Sequence, residues 1–349
     1  MKSLVRNRPA VCLLLSLILL ALVPAVLATS GVITVFNPGG SIQTYPASIN
    51  NHGAITGWHN NGSFFVVGFV RNEDGNITSF DATPQGHPTF YPPSAHPFSI
   101  NDQGTITGHW LDPFANAPRG FVRQEDGTVT NFDATSSNNT SPVSINNNGA
   151  ITGFCLDPSR PGFRGFVREQ DGAITLFDAP NAAATYPSGI NGKGAIAGYY
   201  IDSSTSAAVG FVRDPYGVIT VFQIPNASNT YVSGISYYGA VAGYYFDTST
   251  HTNRGFVRYE HGGFKVFDPP NSTGTYATSV SNLGVITGNF ADASTGTQRG
   301  FVRDGYGVIK VFDPEGSRGT FATSINDQGA ITGYVFNASF APQGFVRQP

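Results

Sequence analysis

The chain has 349 residues, of which only 12% are charged, and its formal net charge is −3. This charged share is about half that of an ordinary globular protein, and no basic stripe is present, which argues against nucleic acid and anionic membranes as partners. One of the two cysteines, Cys12, lies in the leader described next, so Cys155 alone cannot form an intramolecular disulfide, and a cysteine-based metal site is excluded.

The first 28 residues have the pattern of a secretory signal peptide. A basic start is followed by an apolar core at 11–23, and Val26-Leu27-Ala28 supplies small residues for cleavage near Ala28. The apolar core is shorter than the roughly 20 residues that a membrane span needs. We therefore expect a mature chain, 29–349, that has no membrane span and is secreted, either to the extracellular space or to the periplasm.

The mature chain is dominated by an internal repeat. The tetrapeptide Gly-Phe-Val-Arg starts at Gly68, Gly120, Gly165, Gly210, Gly255, Gly300 and Gly344, with intervals of 52, 45, 45, 45, 45 and 44 residues. A fixed period of this length is typical of repeat architectures. We therefore treat 29–349 as a single domain of seven repeats.

Each repeat predicts four β-strands. In 165–209, strands at 165–168 and 173–177 flank an Asp-Gly turn, and strands at 186–191 and 195–200 flank a second glycine-containing turn. No segment has helical periodicity. The weak alternation within strands indicates sheets covered on both faces, as in stacked blades.

The two ends of the mature chain are complementary. Residues 31–36 resemble the second strand of a repeat without its first, and residues 344–347 form a first strand without its second. Their pairing would complete a seventh unit and close a seven-bladed β-propeller of four-stranded blades, an all-β fold. The alternative, an open β-solenoid, would need altered capping repeats at its ends, and the terminal motifs here are as regular as the internal ones.

The repeat pattern resembles the bacterial extracellular repeats of the HAF family. The most specific part is an Ile-Asn-x-x-Gly segment, which occurs in five repeats and departs from the pattern at Ser236 and Ser281. HAF repeats have His-Ala-Phe where this chain has Gly-Phe-Val. The resemblance covers 31–347, implies secretion and a propeller-like fold, and assigns no activity.

Seven arginines occupy one position of every repeat: Arg71, Arg123, Arg168, Arg213, Arg258, Arg303 and Arg347. They could form a cationic ring that binds an anionic ligand, or each could serve the structure through an ion pair or a backbone cap. Most repeats also have an acid after the second-strand Phe, as at Asp178, whereas Gln223 stands there in one repeat. The near-matched counts favour the structural interpretation. It predicts that Arg213→Ala costs less stability than Arg168→Ala.

Candidate ligand-binding residues concentrate in the first two repeats. The fourth strands end in aromatic residues, which could stack on sugars or pack between blades. The 52-residue interval contains a proline-rich insertion at 84–97, and loops on rigid scaffolds often bind ligands. The candidates are Trp58, His59, His87, Phe90, Tyr91, His96, His109 and Trp110. No His-x-His or His-x-x-x-His spacing occurs, so we predict no metal site.

No known catalytic or cofactor motif is present in the chain. We expect no cofactor and a secreted, non-enzymatic propeller that binds an extracellular ligand, either a glycan or a surface protein. The alternative is a polysaccharide hydrolase or lyase on the same scaffold, because carboxylate pairs that form across blades leave no trace in sequence spacing.

Overall fold

A computed structural model describes residues 31–62, 66–84 and 94–349. The predicted signal peptide lies outside these residues, as do three candidate site residues, His87, Phe90 and Tyr91. The described residues form β-strands and no helix, and accordingly none of their segments is a helix that could cross a membrane.

Twenty-eight strands run through the described residues. In chain order they are β1 (Ile33–Phe36), β2 (Gln43–Ile49), β3 (Ile55–Asn60), β4 (Val66–Arg71), β5 (Ile77–Phe80), β6 (His96–Ile100), β7 (Ile106–Asp112), β8 (Ala117–Arg123), β9 (Val129–Phe132), β10 (Thr140–Ile145), β11 (Ile151–Leu156), β12 (Phe163–Arg168), β13 (Ile174–Phe177) and β14 (Ala182–Ile190). They continue as β15 (Ile196–Asp202), β16 (Ala208–Arg213), β17 (Ile219–Phe222), β18 (Ala227–Ile235), β19 (Val241–Asp247), β20 (Thr252–Arg258), β21 (Phe264–Phe267), β22 (Ser272–Val280), β23 (Ile286–Asp292), β24 (Thr297–Arg303), β25 (Ile309–Phe312), β26 (Gly319–Ile325), β27 (Ile331–Phe336) and β28 (Pro342–Arg347).

The strands form seven four-stranded antiparallel sheets arranged as the blades of a propeller. Blades 1 to 6 take four consecutive strands each, from β2–β5 to β22–β25, and blade 7 has the order β26-β27-β28-β1. We name the strands of every blade a, b, c and d from the central channel outward. The predicted seven-bladed β-propeller is therefore confirmed, and the third strand of each sequence repeat is the innermost strand a.

Blade 7 closes the ring by joining the two ends of the described chain. Strand β1 pairs with β28 from Ile33↔Arg347 to Phe36↔Gly344, and β28 also pairs with β27. The predicted pairing of 31–36 with 344–347 is confirmed. Strand β28 lies between two neighbours within the sheet, so the closure depends on an interior strand.

The Gly-Phe-Val-Arg motif builds the contact between adjacent blades, as blades 4 and 5 show. The Phe222 ring, at the end of strand d in blade 4, packs so closely over Gly210 that a Cβ there would lie 2.5 Å from the ring. Phe256 of blade 5 meets Phe222 edge-on with 6.2 Å between ring centroids. Arg258 of blade 5 lies over the same ring at 5.0 Å. The glycine of one motif and the phenylalanine and arginine of the next therefore all contact the same phenylalanine ring, that of Phe222.

The same arrangement recurs at all seven interfaces between blades. The repeated arginines accordingly stack on Phe36, Phe80, Phe132, Phe177, Phe222, Phe267 and Phe312 of the preceding blade. A guanidinium over an aromatic ring is an attractive cation–π contact, worth more when it is desolvated. The repeated arginines therefore connect one blade to the next.

The partner that we predicted for these arginines is wrong. Four of the five acids after the strand d phenylalanines pair with other arginines, one position before the repeated glycine, and the fifth, Asp81, bonds to Thr83. Arg164, for example, bridges Asp157 at 2.8 Å and Asp178 at 2.9 Å, and Arg119, Arg254 and Arg299 bridge equivalent pairs of aspartates. These ion pairs lie at the end of the blade opposite to the repeated arginines.

Arg168→Ala and Arg213→Ala are therefore expected to cost the same stability, about 1–3 kcal/mol each from the cation–π contact and a hydrogen bond to a backbone carbonyl. Arg168 and Arg213 stack at 5.0 and 5.1 Å and donate to the next residue's carbonyl oxygen at the same distance, 3.3 Å. Chemical denaturation of both variants measures the difference. A loss confined to Arg168→Ala would restore the ion-pair interpretation.

Candidate functional site

The channel along the ring axis opens at two mouths of different chemistry. The innermost strands run from one mouth, where the a strands begin, to the other, where the a–b turns lie. The mouth at the a–b turns surrounds a cavity of about 360 Å³, to which each of the seven blades contributes at least one polar residue and one isoleucine or valine. We name it the asparagine mouth, after the Asn of the Ile-Asn-x-x-Gly segments.

A circle of asparagines holds the blades together at this mouth. Asn50 Nδ2 donates to the carbonyl oxygen of Asn101 in the next blade at 3.0 Å, and its Oδ1 accepts from two backbone amides of its own turn. Asn101, Asn146, Asn191 and Asn326 repeat this arrangement. At Ser236 and Ser281 the hydroxyl caps only its own turn. The asparagine of the Ile-Asn segment thus links its blade to the next through a hydrogen bond, a role that could not be predicted from its repetition alone.

Two carboxylates at the asparagine mouth, Asp102 and Asp327, also accept hydrogen bonds from neighbouring blades. The Asn51 side chain donates to Asp102 at 3.0 Å and to Asp327 at 3.1 Å, although these aspartates belong to blades 2 and 7. Asp102 also accepts from the Asn51 backbone and the Asn147 side chain. Asp327 accepts two further bonds from Asn282. This cross-blade carboxylate pair is occupied by amide donors and stabilises the ring.

The opposite mouth is bordered by a belt of aromatic rings. At one register position strands a and b pair as Tyr45–Trp58, His96–His109, Ser141–Phe154, Tyr186–Tyr199, Tyr231–Tyr244, Tyr276–Asn289 and Phe321–Tyr334. Rings of adjacent blades contact one another at five of the seven interfaces, with centroids 5.1–5.5 Å apart. The belt is interrupted at Ser141 and Asn289. These aromatic residues therefore pack between blades, and three of them, Tyr45, Trp58 and Tyr334, also line the mouth.

The two tryptophans occupy different positions of their blades. Trp58 follows the strand b glycine directly and stacks on Tyr45 in the belt, with centroids 4.0 Å apart. Trp110 lies one residue further from its glycine, so its side chain points to the other face of the sheet. It is 1% exposed and packs with Ile106 and Phe121. Trp58 is thus available to a ligand, whereas Trp110 is a core residue.

The three candidate histidines within the described residues, His59, His96 and His109, are packed against their neighbours. His59 is 5% exposed and contacts the Ser79 hydroxyl at 3.0 Å. His96 and His109 face each other in the belt with centroids 5.1 Å apart, and His96 also contacts Trp58 edge-on. Burial lowers the pKa of His109 to about 3, with a smaller contribution from His96, and burial lowers the pKa of His96 and His59. The belt beside Trp58 therefore carries no histidine charge near neutral pH.

Part of the belt and the inner strands border an open cavity that we name the aromatic mouth, with a volume of about 520 Å³. One part of its wall is aromatic, with Tyr45, Trp58, Phe98 and Tyr334, and the remainder is formed by Pro46, Ala47, Val143, Ser188, Ser233 and Thr323. Every one of these side chains is uncharged at neutral pH, and burial raises the pKa of the Tyr45 and Tyr334 phenols. The cavity thus joins flat apolar rings to hydroxyl groups.

Two hydroxyl groups at the aromatic mouth, those of Ser233 and Thr323, are oriented by the neighbouring blade. Ser233 Oγ donates to the Ala277 carbonyl oxygen at 2.7 Å, and Thr323 Oγ1 donates to the Pro46 carbonyl oxygen at 3.0 Å. A hydroxyl that donates its hydrogen bond to a backbone carbonyl still has lone pairs on its oxygen that can accept hydrogen bonds. Both groups therefore present acceptors to the hydroxyl donors of a ligand.

Part of this site was predicted from the sequence. Trp58, His96 and His109 were candidates, and the structure brings them together. Tyr334 is one of the fourth-strand aromatic residues expected to stack on sugars or pack between blades, whereas Tyr45 and Phe98 were not predicted as walls of the cavity. No group of three or more His, Cys, Asp or Glu residues in the described segments is placed to hold a metal ion. Cys155 is fully buried, and burial raises the pKa of its thiol to about 11.

Several solved structures resemble this chain, and those with a TM-score above 0.5 share its fold. TolB from Acinetobacter baumannii is 10% identical with a TM-score of 0.48, over 89% of this chain and 65% of TolB. The β-propeller domain of the Trilobed protease from Pyrococcus furiosus is 10% identical with a TM-score of 0.59, over 87% and 95%. A prolyl endopeptidase is 9% identical with a TM-score of 0.60, over 88% of this chain and 47% of the peptidase.

At these identities the likeness is one of fold alone. This chain spans nearly all of the Pyrococcus propeller domain, 65% of TolB and about half of the endopeptidase. It matches no protein-family model and no curated protein sequence. The resemblance to HAF repeats consequently rests on the repeat residues themselves.

Proposed function

We propose that this protein is a non-enzymatic propeller that binds an uncharged glycan at the aromatic mouth. The observation that carries the proposal is the wall of that cavity, where the stacked pair Tyr45 and Trp58 faces hydroxyl acceptors at Ser233 and Thr323. A sugar ring has an apolar face that packs on aromatic rings, and it has hydroxyls that donate hydrogen bonds. An uncharged cavity favours neutral sugars over uronic acids or sulfated sugars.

The site favours binding over the alternative of polysaccharide hydrolysis. Most glycoside hydrolases use two carboxyl groups that flank the scissile bond. The described residues of the aromatic mouth include no carboxylate, and the aspartate pair at the other mouth is held by amide donors. Both facts support a binding protein.

We place this activity outside the cytoplasm. The basic start and apolar core of residues 1–28 support export, and the resemblance to HAF repeats supports the same location.

A purified protein applied to an array of neutral and acidic oligosaccharides tests the proposed glycan binding. We expect retention of neutral glycans. Retention of acidic glycans alone, or of none, would contradict it, and new reducing ends on a retained glycan would establish the hydrolase alternative.

Trp58→Ala is expected to weaken glycan binding at least tenfold, about 1.4 kcal/mol, because the sugar loses its stacking surface. Isothermal titration with the glycan found on the array measures the change. Trp58→Phe keeps an aromatic ring and should retain most of the affinity.

Tyr199→Ala is the matched control for Trp58→Ala. Tyr199 occupies the same belt position in blade 4 as Trp58 in blade 1 and does not line the aromatic mouth. Its replacement should leave the affinity nearly unchanged. If Tyr199→Ala weakens binding and Trp58→Ala does not, the glycan binds elsewhere on the ring.

A further inference from the structure

Blade 2 has two histidines at the belt position where most other blades have tyrosine, phenylalanine or tryptophan. Strands a and b of this blade pair His96 with His109, and the two imidazole centroids lie 5.1 Å apart. At this register position the other six blades have no histidine on either strand. Because the two histidines come from different strands, spacings such as His-x-His give no sign of the pair.

Both imidazoles have a buried nitrogen without a partner. The Nδ1 atoms of His96 and His109 are buried and have no hydrogen-bond partner among the described residues, which is unfavourable for a polar atom. His59 also has such an Nδ1, but its ring lies beside Phe69 and not beside a second imidazole. Burial lowers the pKa of His96 and His109, so both rings are neutral near neutral pH, and neutral imidazole is the form that binds metal ions.

The separation of the two rings fits a shared metal ion. A zinc ion lies about 2.0–2.1 Å from an imidazole nitrogen, and with a tetrahedral angle at the metal two ring centroids are then about 5 Å apart. The observed separation of the His96 and His109 centroids is 5.1 Å. Two imidazoles at this separation can share an ion with little movement of the backbone.

The interface with blade 3 leaves space beside the pair. The belt position of strand a in blade 3 is Ser141, which has no ring to place against His109, so the belt is interrupted there. His96 and His109 are both partly exposed, and an ion can therefore reach them from solvent. Water can fill the coordination positions that two imidazoles leave open.

The two ligands select the class of ion. Imidazole is a ligand for zinc, copper and nickel, whereas calcium and magnesium prefer oxygen ligands. Among the divalent ions of the first transition series, copper binds most tightly to a given nitrogen site. A pair of imidazoles therefore favours copper(II), and then zinc or nickel, over the alkaline-earth ions.

We propose that His96 and His109 form a binding site for a divalent transition-metal ion, with copper(II) bound most tightly. The ion joins β6 to β7 within blade 2, beside Trp58, whose ring meets that of His96 edge-on with 5.5 Å between centroids. Neither histidine is one of the described residues that line the cavity of the aromatic mouth. The metal site consequently does not depend on glycan binding.

Titration of the untagged protein with CuCl₂ tests the proposal through the fluorescence of Trp58. The chain has two tryptophans, so Trp110→Phe leaves Trp58 as the only indole. Copper(II) quenches indole emission at short range, and the contact of Trp58 with His96 places the indole beside the ion. We expect quenching that is complete at one ion per protein, and ZnCl₂ should compete for the same site without quenching.

His96→Phe and His109→Phe are the decisive variants. Other blades have phenylalanine at these belt positions, Phe321 in strand a and Phe154 in strand b, so the belt should stay packed and both variants should fold. Each variant removes one of two ligands. We expect the Kd for Cu²⁺ to rise at least tenfold in each, with loss of the Trp58 quenching.

The control is His251→Gln/His261→Gln, which removes two exposed histidines and should leave the Kd for Cu²⁺ unchanged. Electron paramagnetic resonance of the parent with one equivalent of Cu²⁺ needs no variant, and it should show coupling to the nitrogens of two imidazoles. A spectrum with fewer than two imidazoles would overturn the proposal. Phenylalanine variants that bind Cu²⁺ as tightly as the parent, or loss of binding in the glutamine control alone, would show that copper binds elsewhere and would also overturn it.

Discussion

Removal of residues 344–349 is expected to abolish the folded ring. These residues contain most of strand β28, which pairs with β1 on one side and β27 on the other. Phe345 and Val346 are 0% and 5% exposed, and loss of a buried phenylalanine side chain alone costs about 3–5 kcal/mol. Loss of the strand also detaches β1, so the total cost should approach the whole stability of a typical domain, about 5–15 kcal/mol.

Thermal melting and limited proteolysis measure this effect. The truncated chain should melt far below the parent, and its open strands should make it prone to aggregate. Removal of Gln348 and Pro349 alone is the control, because both are exposed and, among the described residues, Gln348 donates one backbone hydrogen bond, to Val32. That control should cost no more than about 1 kcal/mol. A parent-like melting curve for the longer truncation would disprove closure through blade 7.

The sequence was sufficient to predict the architecture because each blade repeats one set of local signals. The seven Gly-Phe-Val-Arg motifs predicted the number of blades, and the complementary segments 31–36 and 344–347 predicted the closure. Weak alternation within the strands left the strand that lines the channel undetermined. Its identity depends on how whole blades pack, which no single repeat encodes.

The error over the arginine partners has the same origin. Arg258 and its ring, Phe222, lie in successive blades, so a search for partners within one repeat finds an aspartate instead. The structural role of the arginines was visible in their regular recurrence, but their partner was not. The asparagine circle also links successive repeats, for example Asn101 to Asn146.

The distinction between the tryptophans, in contrast, could have been read from the sequence. Trp58 stands one residue after the strand b glycine, Gly57, and Trp110 stands two residues after Gly108. Successive residues of a strand face opposite sides of the sheet, so this offset alone separates a belt residue from a core residue. The cavity walls Tyr45 and Phe98 lie on other strands, and only the packing of blades brings them to Trp58.

Trp110→Ala is expected to destabilise the protein by about 3–5 kcal/mol, the usual cost of deleting a fully buried large aromatic side chain. Trp110 packs in the core cluster of blade 2, and the Arg119 guanidinium lies over its ring at 5.8 Å. Trp58→Ala should cost much less, because the Trp58 side chain is only partly buried. Chemical denaturation of both variants, with the slope of the transition checked for constancy, measures the two losses.

The two substitutions should separate stability from binding. Trp110→Ala protein that remains folded should bind glycan like the parent, whereas Trp58→Ala protein should be stable and bind weakly. Since the chain has only two tryptophans, Trp110→Phe leaves Trp58 as the sole indole fluorophore, and its emission should shift when a glycan covers the aromatic mouth. If the Trp58 emission does not change in a protein that binds glycan, the ligand binds away from this cavity. Equal destabilisation by Trp58→Ala and Trp110→Ala would contradict the assignment of Trp58 to the surface.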